Sequence, residues 1–195
     1  MELPLNCNVQ YYDAFLTKEI AQKAFEYLMS DPELTQNFSI KTPTGEIFEE
    51  QFGKIMFVTQ SLFNEKVFSE IQWGKIKVWP KELLSIKNKV ESLTGNRFET
   101  CVCIYYPNGN SGVDFHSDYV AFGDTCIIPS LSLGAERNFI FRESQSQKDF
   151  SITLAHGSLL IMGKYSQERY EHCLPLDPTC IKGRINITFR KYGFY

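Results

Sequence analysis

Residues 184–190 have the sequence Arg184-Ile185-Asn186-Ile187-Thr188-Phe189-Arg190. Polar and apolar side chains alternate along the whole stretch, which predicts a β-strand because successive side chains of a strand point to opposite faces of its sheet. The apolar face, with two isoleucines and a phenylalanine, is expected to lie on a hydrophobic core. The opposite face carries hydrogen-bonding side chains, here called the arginine row: Arg184, Asn186, Thr188 and Arg190.

The β pattern extends upstream over most of the second half of the chain. Further short runs are alternating or apolar at 98–106, 125–133, 138–142, 150–154, 158–162 and 170–174. Gly, Pro and Asn turn signals separate these runs. Several short strands at this spacing predict a sandwich or barrel, with helices gathered at the N-terminal end. The predicted fold class is therefore mainly β with flanking helices (α+β), around a jelly-roll core.

Two amphipathic helices are predicted in the first half. The first covers 17–29, with Thr17 as its cap, and the second covers 81–94, with Gly95 as its stop. Their predicted buried stripes are Ile20, Ala24, Tyr27 and Leu28, and Leu83, Ile86, Val90 and Leu93. Residues 33–79 are rich in aromatic side chains and contain turn glycines, which predicts hairpins and loops.

Length and composition predict one domain over residues 1–195, because 195 residues can bury a single core. Residues 1–97 would supply helices and candidate substrate-recognition hairpins, and residues 98–195 the jelly-roll catalytic core. The net charge of −3 argues against a dedicated duplex binder, which is usually basic. We expect a monomer without a membrane-spanning segment.

A cytoplasmic location is expected, or a nuclear one if the chain is eukaryotic. The first ten residues lack a basic region followed by an apolar stretch, so no secretory signal is expected. The six cysteines show no CxxC spacing and are expected to be reduced and mostly buried.

Two histidines and one aspartate form a candidate metal site. His116 and Asp118 are two residues apart, so in a strand they would share a face, and His172 could complete the set. Two imidazoles and one carboxylate are the ligands of the facial triad of non-haem Fe(II) oxygenases, which leaves three iron positions open. The arginine row would suit a dicarboxylate such as 2-oxoglutarate, because guanidinium groups match carboxylate geometry.

A set of motifs, in order along about residues 79–192, resembles the AlkB-type Fe(II)/2-oxoglutarate dioxygenases. The motifs include Tyr106-Pro107-Asn108-Gly109, His116-Ser117-Asp118, Ser130-Leu131-Ser132-Leu133-Gly134-Ala135, His156-Gly157-Ser158, His172 and the stretch 184–190. The resemblance implies a double-stranded β-helix fold, with Fe(II), 2-oxoglutarate and O₂ as cofactor and co-substrates. It also implies oxidative removal of alkyl groups from nucleic-acid bases.

The same resemblance implies roles for individual residues. His116, Asp118 and His172 would hold the iron. Arg184 would pair with the distal carboxylate of 2-oxoglutarate, and Arg190 would lie near its keto-acid end. The remaining residues expected to line the co-substrate pocket are Tyr106, Asn186 and Thr188.

The substrate side matches the family less well. Gln51-Phe52-Gly53-Lys54 resembles a hairpin that some duplex-acting members push between bases. Residues with acidic side chains usually follow the H-x-D in the family, whereas Tyr119 and Val120 follow it here. The residues proposed to contact substrate are Phe52, Lys54, Phe63, Trp73 and Tyr119, with Phe68 as a further candidate wall.

The expected activity is oxidative demethylation of alkylated bases in single-stranded or duplex DNA, or in RNA. Two alternatives stay open on the sequence alone. One is the same oxygenase chemistry on a protein, lipid or small molecule, and the other is a catalytically silent binding module. Each aromatic candidate can also be a core residue, and Phe52 a loop aromatic folded onto the core.

Overall fold

The protein is described from a computed structural model that covers residues 1–41, 44–118 and 120–194. The helices are α1 (Lys18–Met29), α2 (Pro32–Thr35), α3 (Gln60–Glu65), α4 (Glu70–Trp73), α5 (Lys81–Thr94) and α6 (Ser166–Arg169). The first seven strands are β1 (Val9–Tyr12), β2 (Ser39–Lys41), β3 (Ile47–Glu49), β4 (Gly53–Val58), β5 (Lys75–Val78), β6 (Thr100–Tyr106) and β7 (Val113–His116). The other strands are β8 (Ile128–Gly134), β9 (Arg137–Glu143), β10 (Asp149–Leu154), β11 (Leu159–Met162), β12 (Tyr170–Leu174) and β13 (Arg184–Arg190). No helix within these ranges is long and apolar enough to cross a membrane.

The strands form two main sheets and one small hairpin. The large sheet has the order β1-β11-β8-β13-β6-β4-β5, and the small sheet has the order β10-β9-β12-β7. Strands β2 and β3 pair with each other as the separate hairpin. Neighbouring strands are antiparallel except β4 and β5, which are parallel. This arrangement agrees with the predicted jelly-roll core.

Two hydrophobic clusters lie on opposite faces of the large sheet. One fills the space between the two sheets, where Leu160 and Met162 of β11 join Phe139 and Phe141 of β9. The other lies between the large sheet and helices α1 and α5, and it contains Ile185, Ile187 and Phe189 of β13. The alternation in residues 184–190 therefore predicted correctly which face of β13 meets a core, and the arginine row is left on the face toward the small sheet.

The two predicted helices form, with one change in each buried stripe. Thr17 accepts a hydrogen bond from the backbone of Ile20 at 3.4 Å and caps α1. The prediction that Ile20 is buried was wrong, since its side chain is 44% exposed and Ala21 takes the core position. In α5, Leu93 is 42% exposed and Glu91 is buried in its place, with its carboxylate bound by Lys87, Arg97 and the backbone N–H of Phe98.

The prediction of hairpins and loops for residues 33–79 was incomplete. The β2–β3 hairpin is present, but β4 and β5 extend the large sheet, with β4 paired to β6. Most of β4 is buried, so its apolar run lacks the alternation that marks a half-exposed strand. Gly53 opens β4 where α2 crosses it, and a Cβ atom there would lie 1.7 Å from the carbonyl oxygen of Leu34. Only glycine permits this approach.

Candidate metal and co-substrate site

His116 and His172 lie side by side on two paired strands of the small sheet. His116 ends β7, and the register of β12 places His172 directly opposite it. Their ring centroids are 4.4 Å apart. His172 also stacks on Phe139 at 5.3 Å and is 5% exposed. Packing therefore fixes the ring of His172 before any ligand is bound.

Asp118 lies two residues beyond the end of β7. The argument that His116 and Asp118 share one face of a strand was wrong in this detail, because the strand ends at His116. Instead, the backbone N–H of Asp118 donates to the side-chain oxygen of Gln167 at 2.7 Å. Arg190 donates to Oδ1 of Asp118 at 3.2 Å. These two contacts aim the carboxylate at the histidines.

The donor set fits a divalent metal ion. One ligand atom from each of His116, Asp118 and His172 lies within 4.8 Å of the others. Oδ2 of Asp118 is buried and has no hydrogen-bond partner among the described residues. Such an orphaned oxygen is costly unless a ligand satisfies it. The three residues thus have the composition and the proximity of the facial triad predicted from the sequence.

The tautomer of His116 and the protonation state of His172 suit metal binding. Nδ1 of His116 lies 2.8 Å from the carbonyl oxygen of Asp114, so this nitrogen carries the proton and Nε2 keeps its lone pair. Burial lowers the pKa of His172 to about 4, although the nearby Asp118 carboxylate acts in the opposite direction. His172 is therefore neutral at physiological pH, which is the form that binds a metal.

The arginine row is linked by side-chain hydrogen bonds along β13. Arg184 donates to Oγ of Ser132 at 3.0 Å and to Oδ1 of Asn186 at 3.1 Å. Asn186 donates in turn to Oγ1 of Thr188 at 2.7 Å. Ser130 donates to Oδ1 of Asn186 at 2.8 Å from β8. The row is therefore ordered, with Arg184 at one end and the Arg190–Asp118 pair at the metal end.

Arg184 is a buried cation without a counter-charge. Its side chain is buried, and no carboxylate in residues 1–41, 44–118 or 120–194 forms an ion pair with it. Burial, together with repulsion from Arg137, lowers the pKa of Arg184 to about 10. Nε of Arg184 is also buried without a hydrogen-bond partner in the described part of the chain. A buried guanidinium in this state favours an anionic ligand, and a carboxylate can accept from its free N–H groups.

Tyr106 closes the same end of the row. Its ring lies 5.6 Å from the guanidinium carbon of Arg184, and its side chain is 4% exposed. Burial raises the pKa of its hydroxyl, so the neutral phenol can donate a hydrogen bond. Tyr106, Arg184, Asn186 and Thr188 are thus brought together as the resemblance implied, and their binding of 2-oxoglutarate remains a prediction.

The candidate wedge residue Phe52 packs inward. Its ring lies 6.4 Å from the ring of Phe38 and 6.1 Å from that of Tyr106. It immediately precedes β4 and is not at the tip of the β2–β3 hairpin. Phe52 is therefore placed between the hairpin and the co-substrate end of the site, which agrees with the alternative of a loop aromatic folded onto the core.

Lys54 also points toward protein groups. Its ammonium donates to the carbonyl of Gln72 at 2.8 Å and lies 5.0 Å from the ring of Phe38 and 4.9 Å from that of Trp73. Burial lowers its pKa to about 8. In this position protein groups hold the ammonium, and a contact of Lys54 with substrate stays a prediction.

The remaining substrate candidates are Trp73, Phe63 and Tyr119. Trp73 meets Phe122 edge to face at 5.1 Å, and Phe122 lies 5.8 Å from the guanidinium carbon of Arg190. Phe63 lies on α3 and is 41% exposed. Tyr119 lies outside the described residues. Phe68 also meets Phe122 edge to face, at 4.9 Å, so contacts through Phe122 and Arg190 join both Trp73 and Phe68 to the metal site.

Sequence reasoning missed three residues that shape the site: Ser132, Gln167 and Phe122. Ser132 has a signal, because Ser130 and Ser132 alternate with leucines in the same way as the polar positions of β13. Gln167 is in a four-residue helix with no pattern that could mark it. Phe122 lies in a loop, where local sequence does not indicate which side chains turn inward.

Comparison with known proteins agrees with this geometry. The sequence profile of the 2OG-Fe(II) oxygenase superfamily matches residues 8–190. The chain therefore belongs to the 2OG-Fe(II) oxygenase superfamily, whose members use Fe(II), 2-oxoglutarate and O₂. The curated relatives to which it is similar are AlkB-type dioxygenases.

Two relatives illustrate the similarity. The chain is 38% identical over 122 residues to alpha-ketoglutarate-dependent dioxygenase alkB homolog 3 from Bos taurus, covering 57% of this chain and 43% of that protein. It is 27% identical over 185 residues to DNA oxidative demethylase ALKBH2 from Bos taurus, covering 77% of this chain and 65% of that protein. The chain thus spans less than half the length of the alkB homolog 3 proteins that it matches.

Solved structures support the double-stranded β-helix fold. The structure of OsALKBH1 matches with a TM-score of 0.66 at 13% identity, over 97% of this chain and 100% of that one. A Trichoplax adhaerens prolyl hydroxylase, in complex with a hypoxia inducible factor peptide fragment, also has a TM-score of 0.66. It is 12% identical and covers 94% of this chain and 83% of its own. At these identities the likeness concerns the fold alone.

Proposed function

We propose that this chain is an Fe(II)- and 2-oxoglutarate-dependent dioxygenase that removes methyl groups oxidatively from bases of DNA or RNA. The main observation is that ligand atoms of His116, Asp118 and His172 lie within 4.8 Å of one another. At the far end of the same hydrogen-bonded polar row is the buried Arg184, which forms no ion pair with a carboxylate of the described residues. In that arrangement, a metal ion and a dicarboxylate can bind next to each other between the two sheets.

The proposed roles follow from the contacts. His116, Asp118 and His172 would hold Fe(II), which when bound supplies the redox chemistry that couples 2-oxoglutarate and O₂ to oxidation of a C–H bond. Arg184 and Tyr106 would bind the distal carboxylate, and Asn186 and Thr188 would orient the chain of the co-substrate. Arg190, paired with Asp118, would fix the ligand carboxylate and keep the metal end of the row positively charged.

The overall reaction balances. A methylated base, 2-oxoglutarate and O₂ give the demethylated base, formaldehyde, succinate and CO₂. The protein contributes by binding both co-substrates in one dry cleft, which protects a strong oxidant from side reactions. His172 and Arg184 are 5% and 2% exposed, so ligands bound to them would be largely shielded from water.

Two observations favour a nucleic-acid substrate. Relatives of this chain include proteins named DNA oxidative demethylases. In addition, Trp73 and Phe122 form an aromatic wall that is linked to the metal site through Arg190, and aromatic faces stack well on bases. Because the overall charge is −3, single strands or local openings are favoured over extensive contact with a duplex.

One observation favours a second candidate substrate class. Tyr119 and Val120 follow the H-x-D where AlkB-type enzymes usually have acidic residues, so the expected base-reading groups are absent from those positions. The same oxygenase chemistry on a protein, lipid or small molecule is therefore the alternative.

The test is succinate formation from 2-oxoglutarate with Fe(II), alone and with methylated oligonucleotides. Single-stranded and duplex DNA and single-stranded RNA are compared, and the oligonucleotide masses are followed. Turnover that rises with a methylated strand, with loss of one CH₂ per event, supports the proposal. Turnover that no oligonucleotide alters, with every mass unchanged, overturns the nucleic-acid substrate and supports the second candidate. Absence of turnover in all conditions overturns the oxygenase itself.

A further inference from the structure

A groove beside the metal site includes the aromatic wall of Trp73 and Phe122 and extends beyond it. It has a volume of about 670 Å³ and lies between the segment around α4, the loop after the metal-binding aspartate, and the C-terminal segment. We call it the C-terminal groove. Its principal lining residues are Phe68, Gln72, Trp73, Phe122, Tyr192 and Phe194.

The groove is built around aromatic rings that pack edge to face. Phe122 meets Phe68 at 4.9 Å and Trp73 at 5.1 Å, and Phe68 meets Tyr192 at 5.8 Å. None of these four side chains is fully buried, and Phe194 is 67% exposed. The rings pack on the buried Met56, Val58 and Leu62 on one side and keep part of their surface open to a ligand on the other.

The shape of the groove is fixed by the backbone. The loop and the C-terminal segment are joined by a bridge between Gly123 and Gly193. Gly193 donates to the carbonyl of Phe122 at 2.9 Å, and Asp124 donates to that of Gly193 at 3.1 Å. Lys191 and Asp124 add an ion pair at 3.6 Å. The rings are therefore held in place without a ligand, so binding costs little conformational entropy in the protein.

A chain of side-chain contacts joins the groove to the candidate metal site. Phe122, in its floor, lies 5.8 Å from the guanidinium carbon of Arg190. Arg190 in turn donates to the metal-binding carboxylate of Asp118 at 3.2 Å. Whatever part of a substrate enters the groove is thus next to the part that reaches the metal.

The lining chemistry selects an uncharged planar ligand. None of the lining residues that the structure describes carries a charge, which disfavours a phosphate group as the occupant. An ammonium group is disfavoured by the cations of Lys54, 4.9 Å from the Trp73 ring, and Arg190, 5.8 Å from the Phe122 ring. Gln72 and Ser69 provide the polar contacts at its rim, and their amide and hydroxyl groups can both donate and accept hydrogen bonds. Aromatic rings with a few such groups are the chemistry that binds a nucleobase.

We propose that the C-terminal groove binds the unmethylated nucleobase next to the target base in the same strand. The inference rests on the proposed nucleic-acid substrate and names a second contact on it. A base can enter the groove only when it is unpaired, so the groove favours single-stranded substrates. It is distinct from the metal site because it holds the neighbour and not the base that reacts.

The experiment uses oligonucleotides with 2-aminopurine, a fluorescent base whose emission falls on stacking, placed on either side of the target position. Binding is measured without iron, with methylated and unmethylated strands. Phe194→Ala and Phe68→Ala remove groove surface, and Ile181→Ala removes a side chain that is 84% exposed on another part of the molecule. Circular dichroism and thermal unfolding check that each variant is folded.

Quenching is expected at one of the two positions in the wild type and in Ile181→Ala. It should weaken in Phe194→Ala and Phe68→Ala, with affinity about 5- to 100-fold lower, as for loss of one base–aromatic stack. Quenching that Phe194→Ala and Phe68→Ala both leave unchanged, or its absence at both positions, overturns the proposal even if oligonucleotides are demethylated. Groove-dependent quenching without demethylation keeps this inference and overturns the proposed function.

Discussion

The backbone N–H of Asp118 donates to Oε1 of Gln167 at 2.7 Å. Gln167 lies on α6, immediately before the strand that carries His172, so one side chain joins the two segments that supply the metal ligands. Nε2 of Gln167 is itself held, 3.3 Å from Oγ of Ser166 and 3.6 Å from Sδ of Met162. Ser117 adds a second link by donating to the carbonyl of Tyr170 at 3.1 Å. The aspartate is thus positioned by the segment preceding His172 as well as by Arg190.

Gln167→Ala is expected to weaken metal binding without unfolding the protein. Loss of a group that orients a ligand typically costs about 10- to 100-fold in metal affinity. The measurement is titration of the metal-free protein with Co(II), followed by its visible absorption. Gln145→Ala, at an exposed loop glutamine, is the control and should bind Co(II) like the wild type. Equal affinities in Gln167→Ala and Gln145→Ala would show that Gln167 does not position Asp118.

Asp118→Ala is expected to abolish Co(II) binding and succinate formation. The substitution removes one of the three proposed ligands. It also breaks the 3.2 Å ion pair between Asp118 and Arg190, which is 8% exposed. We therefore expect a loss of unfolding free energy of about 1–3 kcal/mol in addition. Asp149→Ala is the control, because it breaks an Arg–Asp pair with Arg142 away from the metal. Wild-type succinate production by Asp118→Ala would refute the proposed triad.

Much of the fold could be predicted because its elements carry strong local patterns. The bounds of β12 and α5 coincide with those predicted, and the face of β13 that meets the core follows from its alternation. Strand β4 escaped prediction because it is buried on both faces, and β5 because its parallel partner is known only from the tertiary structure. Local patterns do not encode such pairings.

The residue types that carry the chemistry of the site could be predicted from the sequence, but the contacts that hold those residues in place could not. His116, Asp118, His172 and the arginine row were identified because few functions need those residue types in that order. How Asp118 is held could not be foreseen, since Gln167 contacts it across 49 residues of sequence. Phe52 packs on Phe38, and Lys54 packs on Trp73. These partners are distant along the sequence, so the local pattern could not show that Phe52 and Lys54 point inward.

Arg184→Lys is expected to raise the KM for 2-oxoglutarate about 10- to 100-fold while kcat changes little, because a charge-assisted bidentate contact is replaced by a point charge. A uniform binding contact affects KM in this way. The lysine would also lose the fork that contacts Ser132 and Asn186 at 3.0 and 3.1 Å. Arg142→Lys, at an exposed pair with Asp149, is the control. An unchanged KM in Arg184→Lys would remove Arg184 from the co-substrate site.

Lys54 is expected to make the stability of the metal-free protein depend on pH. Burial between Phe38 and Trp73 lowers its pKa from 10.5 to about 8. Between these two values the unfolded chain holds a proton that the folded chain has released. The free energy of unfolding therefore rises with pH across this window, and below it Lys54 contributes no pH dependence.

Urea unfolding of the wild type and of Lys54→Met, at several pH values from about 7 to 10.5, isolates this contribution because all other groups titrate in both proteins. The wild type should gain about 1–3 kcal/mol relative to Lys54→Met as the pH rises through the window. At neutral pH the variant should be the more stable protein, since it buries no charge, unless the two rings and the Gln72 carbonyl compensate the ammonium fully. If the stabilities of the two proteins instead change in parallel with pH, the rings and the carbonyl compensate the ammonium fully. Lys54 then remains a cation beside Phe38 and Trp73 up to its ordinary pKa.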